Sequence, residues 1–200
     1  MTLQAFIFKN RGLLLSLPAA ILAIWGRPSA RSIATGVPLA VAGELLRCWA
    51  VGYSGVTTRN DAVTAPKLVT AGPYAYVRNP LYLGNFITAA GFAIAFTGKN
   101  SKAARRALVL GSLAAMAAVY AAIVPHEEAF LQAQFGEAFE RYCERVPRVI
   151  PKLEPPAEGD GPSTPLRAGW DPDVLIAAES KTFATFAAML AALVLRARRS

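Results

Sequence analysis

The residues best suited to chemistry fall in two separated clusters. The first is Leu68-Val69-Thr70-Ala71-Gly72-Pro73-Tyr74-Ala75-Tyr76-Val77-Arg78-Asn79-Pro80-Leu81-Tyr82-Leu83-Gly84, where a polar, turn-forming segment abuts an apolar run. Gly72-Pro73 and Asn79-Pro80 are turn signals, and each proline biases the residue before it out of the helical basin, so no helix runs through this stretch. Backbone amides released from helical pairing, the Arg78 guanidinium and the phenols of Tyr74, Tyr76 and Tyr82 suit a polar ligand with one flat aromatic end. The same residues also fit a loop that merely sits at the level of lipid headgroups. The second cluster is Pro125-His126-Glu127-Glu128. His126 has the chemistry of a general base or of a plain interface residue. Glu127 and Glu128 suit a cationic group such as an amine or a sulfonium, or an acidic pair at the positive end of a new helix. One histidine with no cysteine or second histidine beside it is thin for a transition metal, so no metal is expected.

The elements that must position these clusters are membrane helices. The chain has 200 residues, of which 54% are hydrophobic and only 17% charged, and its mean hydropathy is +0.35. That is more apolar than a soluble domain of this size. The net charge of +8 comes from basic residues that flank apolar runs, namely Lys9/Arg11, Arg27/Arg31, Arg105/Arg106 and Arg196/Arg198/Arg199. Anionic lipid headgroups match that pattern and nucleic acid does not. Cys48 and Cys143 stand far apart in unlike surroundings, with neither disulfide nor metal spacing.

Residues 12 to 26 form an apolar run interrupted by Pro18, short against the roughly 20 residues a span needs. It reads as a first, tilted span, since the Arg-Pro-Ser-Ala that follows is a poor signal-peptide cleavage site. A second run, about 33 to 53, is long enough to cross and carries Glu44 and Arg47 on one helix face, where they can pair. Trp49 and Tyr53 look like interface anchors at its end. A third span runs from Leu81 to about Thr97 and a fourth from about Ala107 to Val124, joined by the tight basic connection 98 to 106, so the two form an antiparallel hairpin. The alanines and glycine of the fourth span suit close helix approach. Because the hairpin returns the chain to its starting face, Glu127 and Glu128 come back to the side of Asn79-Pro80.

From Glu127 to about Val146, Phe130, Leu131, Phe135, Phe139, Tyr142 and Val146 recur at helical spacing, which predicts an amphipathic interfacial helix roofing the site and ended by Pro147. Residues 152 to 172 read as a linker. The last apolar run, Phe183 to Leu195, is marginal for a span, and extending it brings in Glu179 and Lys181, so a membrane helix and an interfacial anchor both stay open. The expected fold is an all-α integral membrane protein of four or five transmembrane helices, with a helical hairpin followed by the amphipathic helix. Its parts are a core over 1 to 151, the linker, and a C-terminal element over 173 to 200. The expected location is a bacterial inner membrane with the site facing the cytoplasm. Lys9, Arg11, Arg59, Lys67 and Arg78 favour that orientation, and Lys99, Lys102, Arg105 and Arg106 oppose it.

Taken together, Gly72-Pro73-Tyr74-x-x-x-Arg78-Asn79-Pro80-x-Tyr82-x-Gly84, a hairpin, Glu127-Glu128, Phe135-Gly136-x-x-Phe139-x-x-Tyr142 and Val146-Pro147-Arg148-x-Ile150-Pro151 form a familiar series. In this order they resemble the integral-membrane methyltransferases of the isoprenylcysteine carboxyl methyltransferase and phospholipid methyltransferase group, over about residues 44 to 151. The resemblance implies S-adenosylmethionine as methyl donor and a lipophilic acceptor entering from the bilayer. It implies donor binding by Lys67, Leu68, Val69 and Tyr74 ahead of the turn, by Asn79, Pro80 and Tyr82 in it, and by Glu127 and Glu128. Two departures stand out. Asparagine holds position 79, where the eukaryotic enzymes most often have a histidine. Ile123 stands near the position of the arginine that meets the substrate carboxylate in eukaryotic prenylcysteine enzymes. For catalysis the candidates are Arg78, to orient an anionic acceptor or hold a lipid phosphate, and His126 as a base. The acceptor class stays open among carboxylate, thiol and amine. A catalytically silent scaffold or lipid-binding protein of the same fold is the alternative. A transporter built on Glu44 and Arg47 predicts repeated halves, which the sequence lacks.

Overall fold

The computed structural model describes residues 3–55, 65–154 and 170–199, so most of the polar connection after the second run, including Arg59, and most of the expected linker lie outside the described residues. Within them the chain forms α1 (Leu3–Lys9), α2 (Arg11–Trp25), α3 (Ala30–Ser54), α4 (Pro80–Phe96), α5 (Lys102–Phe135), α6 (Glu137–Arg145) and α7 (Pro172–Arg199), with a 3-10 turn at Gly72–Ala75. The protein is an all-α membrane protein. Segments Ala30–Ser54, Lys102–Phe135 and Ala178–Arg199 are long and apolar enough to cross a bilayer, and α2 and α4 are shorter apolar helices. Leu13, Leu17, Ile21 and Ile24 of α2, Leu39 and Leu45 of α3, Leu110 of α5 and Val194 and Leu195 of α7 face outward. Lipid satisfies such an apolar exterior while each helix satisfies its own backbone.

Local chemistry sets the breaks. Asn10 ends α1, its side-chain amide and backbone N–H both donating to the Phe6 carbonyl. Ser29 opens α3 with a reciprocal cap, its hydroxyl accepting from Ser32 N–H while the Ser32 hydroxyl accepts from Ser29 N–H. Proline at the first position of α4 follows Asn79, and the Ser101 hydroxyl caps α5. The far turn is tied by Asn100, which accepts from Arg27 N–H and donates to the Trp25 carbonyl.

The tightest packing joins α3 to α4, which run antiparallel. A Cβ on Gly91 would lie 2.3 Å from the Ala40 nitrogen, one on Gly36 2.4 Å from the Gly91 carbonyl oxygen, and one on Gly43 2.5 Å from the Thr88 nitrogen. The two backbones touch along this seam, which small residues alone permit. Close approach was expected of the fourth span instead. There a Cβ on Gly111 would meet no other part of the bundle within 4 Å and Ala114, Ala117 and Ala118 face outward, because α5 meets the bundle along Ser112, Met116, Tyr120 and Ile123.

Two boundaries also differ from expectation. α5 does not restart after Pro125 but runs through it as one helix of 34 residues. At about 1.5 Å per residue it extends roughly 50 Å, about 20 Å beyond the hydrocarbon core, so one rigid element carries Glu127 and Glu128 out of the bilayer. The amphipathic segment is two helices, broken at Gly136, whose φ of 51° only glycine adopts readily. α6 then turns Phe139, Tyr142 and the following Val146 onto Leu68, Leu131 and Phe135.

α7 is held along its length. Trp170 covers Gly52 and its indole N–H donates to the Cys48 carbonyl, Phe186 meets Phe92 edge-on at 5.0 Å, Leu193 joins the core, and Arg196 donates to the Gly26 carbonyl. The C-terminal run is therefore a helix of the bundle, antiparallel to α3.

Candidate active site

At the end of the bundle where α3 and α5 finish and α4 and α7 begin lies a cavity of about 620 Å³. Its size falls in the usual range for a cofactor or a small-molecule ligand. Lys67, Leu68, Val69, Tyr74, Asn79, Pro80, Tyr82, Glu127 and Glu128 all line it, so the two clusters recognised in the sequence meet on one side of the bundle, and Arg78 lines it with them. Antiparallel pairing of α4 and α5 does this: the start of one helix and the far third of the other share an end.

The turn is shaped by glycine and closed by backbone pairing. Gly72 has φ of 60°, and a Cβ there would lie 2.5 Å from the Tyr53 ring, so conformation and space both require glycine. Arg78 N–H donates to the Pro147 carbonyl at 2.9 Å and Lys152 N–H to the Tyr76 carbonyl at 3.0 Å, while the Asn79 amide donates to the Arg148 carbonyl at 3.2 Å. The segment after α6 thus runs alongside the turn and fixes α6 over the cavity.

The two carboxylates differ. The Tyr82 hydroxyl donates to Glu127 Oε1 at 2.7 Å, holding that carboxylate at the cavity wall. Glu128 accepts from Arg78 Nε at 3.2 Å and from Arg148. Arg78 Nη1 donates further to the carbonyls of Cys143 and Val146 at 3.0 and 2.9 Å. Arg78 is therefore a strut between Glu128 and the end of α6, whereas the sequence suggested a hold for an anionic acceptor. Hydrogen bonding to Glu128 raises the Arg148 pKa. Burial pushes the Tyr74 phenol up to about 12 and also raises that of Tyr142, whose hydroxyl donates to the Tyr74 carbonyl at 2.8 Å. Both phenols are neutral hydrogen-bonding groups at physiological pH. Burial likewise raises the Cys143 thiol.

Two residues of the expected site stand elsewhere. Tyr76 does not line the cavity, and its ring tilts against Trp49 at 6.2 Å. Nor does His126, which packs edge-on to Phe8 at 6.1 Å. Conversely, several lining residues carry weak sequence signals. Phe8 and Arg11 enter from the N-terminal helices, with the Arg11 guanidinium 4.0 Å above the Phe8 ring. Arg47, Asn85 and Tyr120 enter from α3, α4 and α5, and Glu179, Lys181, Thr182 and Thr185 from α7. Arg47 was expected to pair with Glu44. That contact is loose at 3.7 Å, and the close partner is Glu179, whose carboxylate accepts from Arg47 Nη2 at 2.8 and 2.9 Å. The available signal was Glu179 itself, an acid bordering an apolar run in a chain with an arginine inside another.

The fold and this site are those of an all-α membrane protein with a ligand-sized cavity at one end of its bundle. Residues 32–138 match the family model described as phospholipid methyltransferase, more than half of the chain, and the protein belongs to that family. It is 35% identical over 118 residues to the nickel-cobalt-cadmium resistance protein NccN of Alcaligenes xylosoxydans xylosoxydans, covering 59% of this chain and 47% of that protein. It is 38% identical over 86 residues to the protein-S-isoprenylcysteine O-methyltransferase of Schizosaccharomyces pombe, covering 43% of this chain and 34% of that enzyme. Against protein-S-isoprenylcysteine O-methyltransferase B of Arabidopsis thaliana the identity is 29% over 122 residues, 58% of this chain and 57% of the other. The aligned part thus spans about half the length, or less, of the first of these relatives. No solved structure matches the chain significantly.

Proposed function

We propose that this protein transfers a methyl group from S-adenosylmethionine to a lipophilic or small hydrophobic acceptor at the membrane surface. The observation that carries this reading is the convergence of residues 67–69, 74, 79–82 and 127–128, from separated stretches of chain, on one cavity. The residues present fit the donor. Glu127 places a negative charge beside a cationic ligand and keeps lone pairs for an amine or a hydroxyl. Lys67 offers a cation for a carboxylate, and Leu68, Val69, Leu131 and Phe139 offer apolar faces for a flat base. Tyr74, Asn79 and Pro80 complete the cradle.

When bound, the donor supplies a methyl carbon activated by positively charged sulfur. The work left to the chain is alignment and the exclusion of water. α6, held down by Arg78 and by Tyr142, covers the cavity, and Phe139 and Leu131 dry it. A thiolate or carboxylate acceptor needs no base, whereas an ammonium must first lose its proton. His126, turned toward Phe8, does not serve that purpose in this arrangement. We place the cavity face in the cytoplasm of a bacterial inner membrane.

The test is incubation of the purified protein with methyl-labelled donor and a total extract of lipids and small thiols, followed by identification of the labelled product. A labelled lipophilic product supports the reading. A folded protein that yields none, beside a homologous enzyme that does, favours a silent scaffold or lipid-binding protein.

A further inference from the structure

The end of the bundle opposite the cavity is stitched into one platform. Arg27 N–H donates to Asn100 Oδ1 at 2.8 Å, Lys99 N–H to the Arg27 carbonyl at 2.6 Å, and the Asn100 amide to the Trp25 carbonyl at 3.1 Å. The end of α7 is tied to the same turn, the Arg196 guanidinium donating to the Gly26 carbonyl at 2.8 and 3.1 Å. Three stretches far apart in sequence thereby set Arg27, Lys99 and Arg199 around Gly26, since Arg199 follows Arg196 by three residues on one helix face. All three are exposed, and Arg31, Lys102, Arg105, Arg106 and Arg198 add to the charge. Segments 26–31, 97–106 and 195–199 contain no acid, and among the described residues no carboxylate pairs with these eight cations. Helix stability does not account for them. Arg31 and Lys102 lie in the first turns of α3 and α5, the positive ends of those helices, where a cation is disfavoured and no acid offsets it. An anion supplied from outside relieves both. The flank of the platform is apolar: α2 and α7 share a core at Leu22 and Leu193 and expose Ile21, Ile24, Trp25, Val194 and Leu195 beside it. Trp25, 60% exposed, stands where an indole marks the level of the headgroups. A soluble anion or a nucleic acid would use the cations and leave this flank bare, whereas an anionic head on acyl chains matches both.

We propose that this end of the bundle is a binding site for an anionic glycerophospholipid, its phosphate over the Gly26 turn among Arg27, Lys99 and Arg199 and its acyl chains along α2 and α7. Guanidinium groups suit the phosphate because they pair with its oxygens through two parallel N–H donors. The site lies at the opposite end from the cavity and does not depend on the methyltransferase reading.

The test uses the full chain in a neutral detergent and counts bound lipid by native mass spectrometry over titrations of dioleoyl phosphatidylglycerol and dioleoyl phosphatidylcholine. The wild type binds phosphatidylglycerol at least about tenfold more tightly than phosphatidylcholine, and neither glycerol 3-phosphate nor a short DNA oligonucleotide at equal concentration displaces it. Arg27→Gln with Lys99→Gln lowers affinity for phosphatidylglycerol at least about fivefold. Lys9→Gln with Arg141→Gln, the same loss of charge from the cavity end, changes it less than about twofold. If the Arg27 and Lys99 variant does not fold, Arg31→Gln with Arg199→Gln carries the test, with a loss of at least about threefold. Equal affinity for the two lipids, an unchanged preference in a folded platform variant, or an equal loss in the cavity-end control overturns the inference. So does displacement of the lipid by glycerol 3-phosphate or by the oligonucleotide.

Discussion

Glu127 and Glu128 are neighbours with different duties, and replacing each by glutamine separates them. Glu128 is a structural hub: Arg78, whose side chain is 12% exposed, bridges it to the last carbonyls of α6, and Arg148 closes over it from outside at 50% exposure. Breaking a buried ion pair costs about 3–5 kcal/mol. Arg78 keeps two carbonyl acceptors after Glu128→Gln, and Arg148 is largely solvated, so the net loss is nearer to about 2 kcal/mol. For a chain of this size, each kcal/mol moves the melting temperature by about 2–4 °C, which predicts a fall of roughly 4–8 °C. Glu127 accepts from the Tyr82 hydroxyl at 2.7 Å, and glutamine preserves an acceptor for that hydroxyl. Glu127→Gln should therefore shift melting by less than about 2 °C. What it removes is the charge-assisted contact to a cationic donor, worth about 1.5–3 kcal/mol, or roughly 10- to 100-fold in affinity. Thermal unfolding followed by tryptophan fluorescence in detergent, paired with calorimetric titration of the donor, reads both effects. The reasoning is refuted if Glu127→Gln binds donor like the wild type, or if it is the Glu127 variant that melts early while Glu128→Gln stays at the wild-type temperature.

Three further outcomes follow from the geometry. Gly91→Val drives a side chain into the Ala40 backbone, where a Cβ already lies 2.3 Å from nitrogen; it should destabilise the bundle by at least about 1–3 kcal/mol, seen as a lower melting temperature and reduced yield, whereas Gly111→Val, in open space, should be nearly silent. The Tyr74 phenol, held near 12 in the folded protein and near 10 when unfolded, keeps its proton longer in the native state. Stability from this group is thus present below pH 10 and lost as pH rises toward 12, a slope that Tyr74→Phe should flatten and that a wild-type-like slope in the variant would contradict. Finally, the far end carries Arg27, Arg31, Lys99, Lys102, Arg105, Arg106, Arg196, Arg198 and Arg199, with no acid in residues 26–31, 97–106 or 195–199. The positive-inside rule opposes a cytoplasmic cavity on that count. In a background with Cys48 and Cys143 replaced by serine, Ser101→Cys should react with an impermeant maleimide added to intact spheroplasts if the cavity faces inward, and should react only after lysis if it does not.

Much of the site was legible because its logic is topological. A short connection between two apolar runs forces an antiparallel hairpin, and that alone carries Glu127 to the side of Asn79. Proline and glycine also marked the turn correctly, since Gly72 and Pro80 act through their own backbone limits. Pro125 misled because a proline inside a long apolar helix can be absorbed without ending it. Gly136, the true break, looked like any glycine on an amphipathic segment. Tyr76 and Tyr74 are indistinguishable by type, and only the 3-10 turn sends one ring to the cavity and the other to Trp49. The Arg47–Glu179 pair spans 132 residues, and no local pattern links its halves. Until the partner is known, an acid beside an apolar run reads as a cost of placing that run in the membrane.

The central claim is that the cavity under α6 binds a sulfonium donor. Its most direct test is calorimetric titration of S-adenosylmethionine into the folded full-length chain in detergent. Saturable heat with one site per chain, weakened tenfold or more by Glu127→Gln, is the result expected; a protein that unfolds cooperatively yet gives only heat of dilution would contradict it.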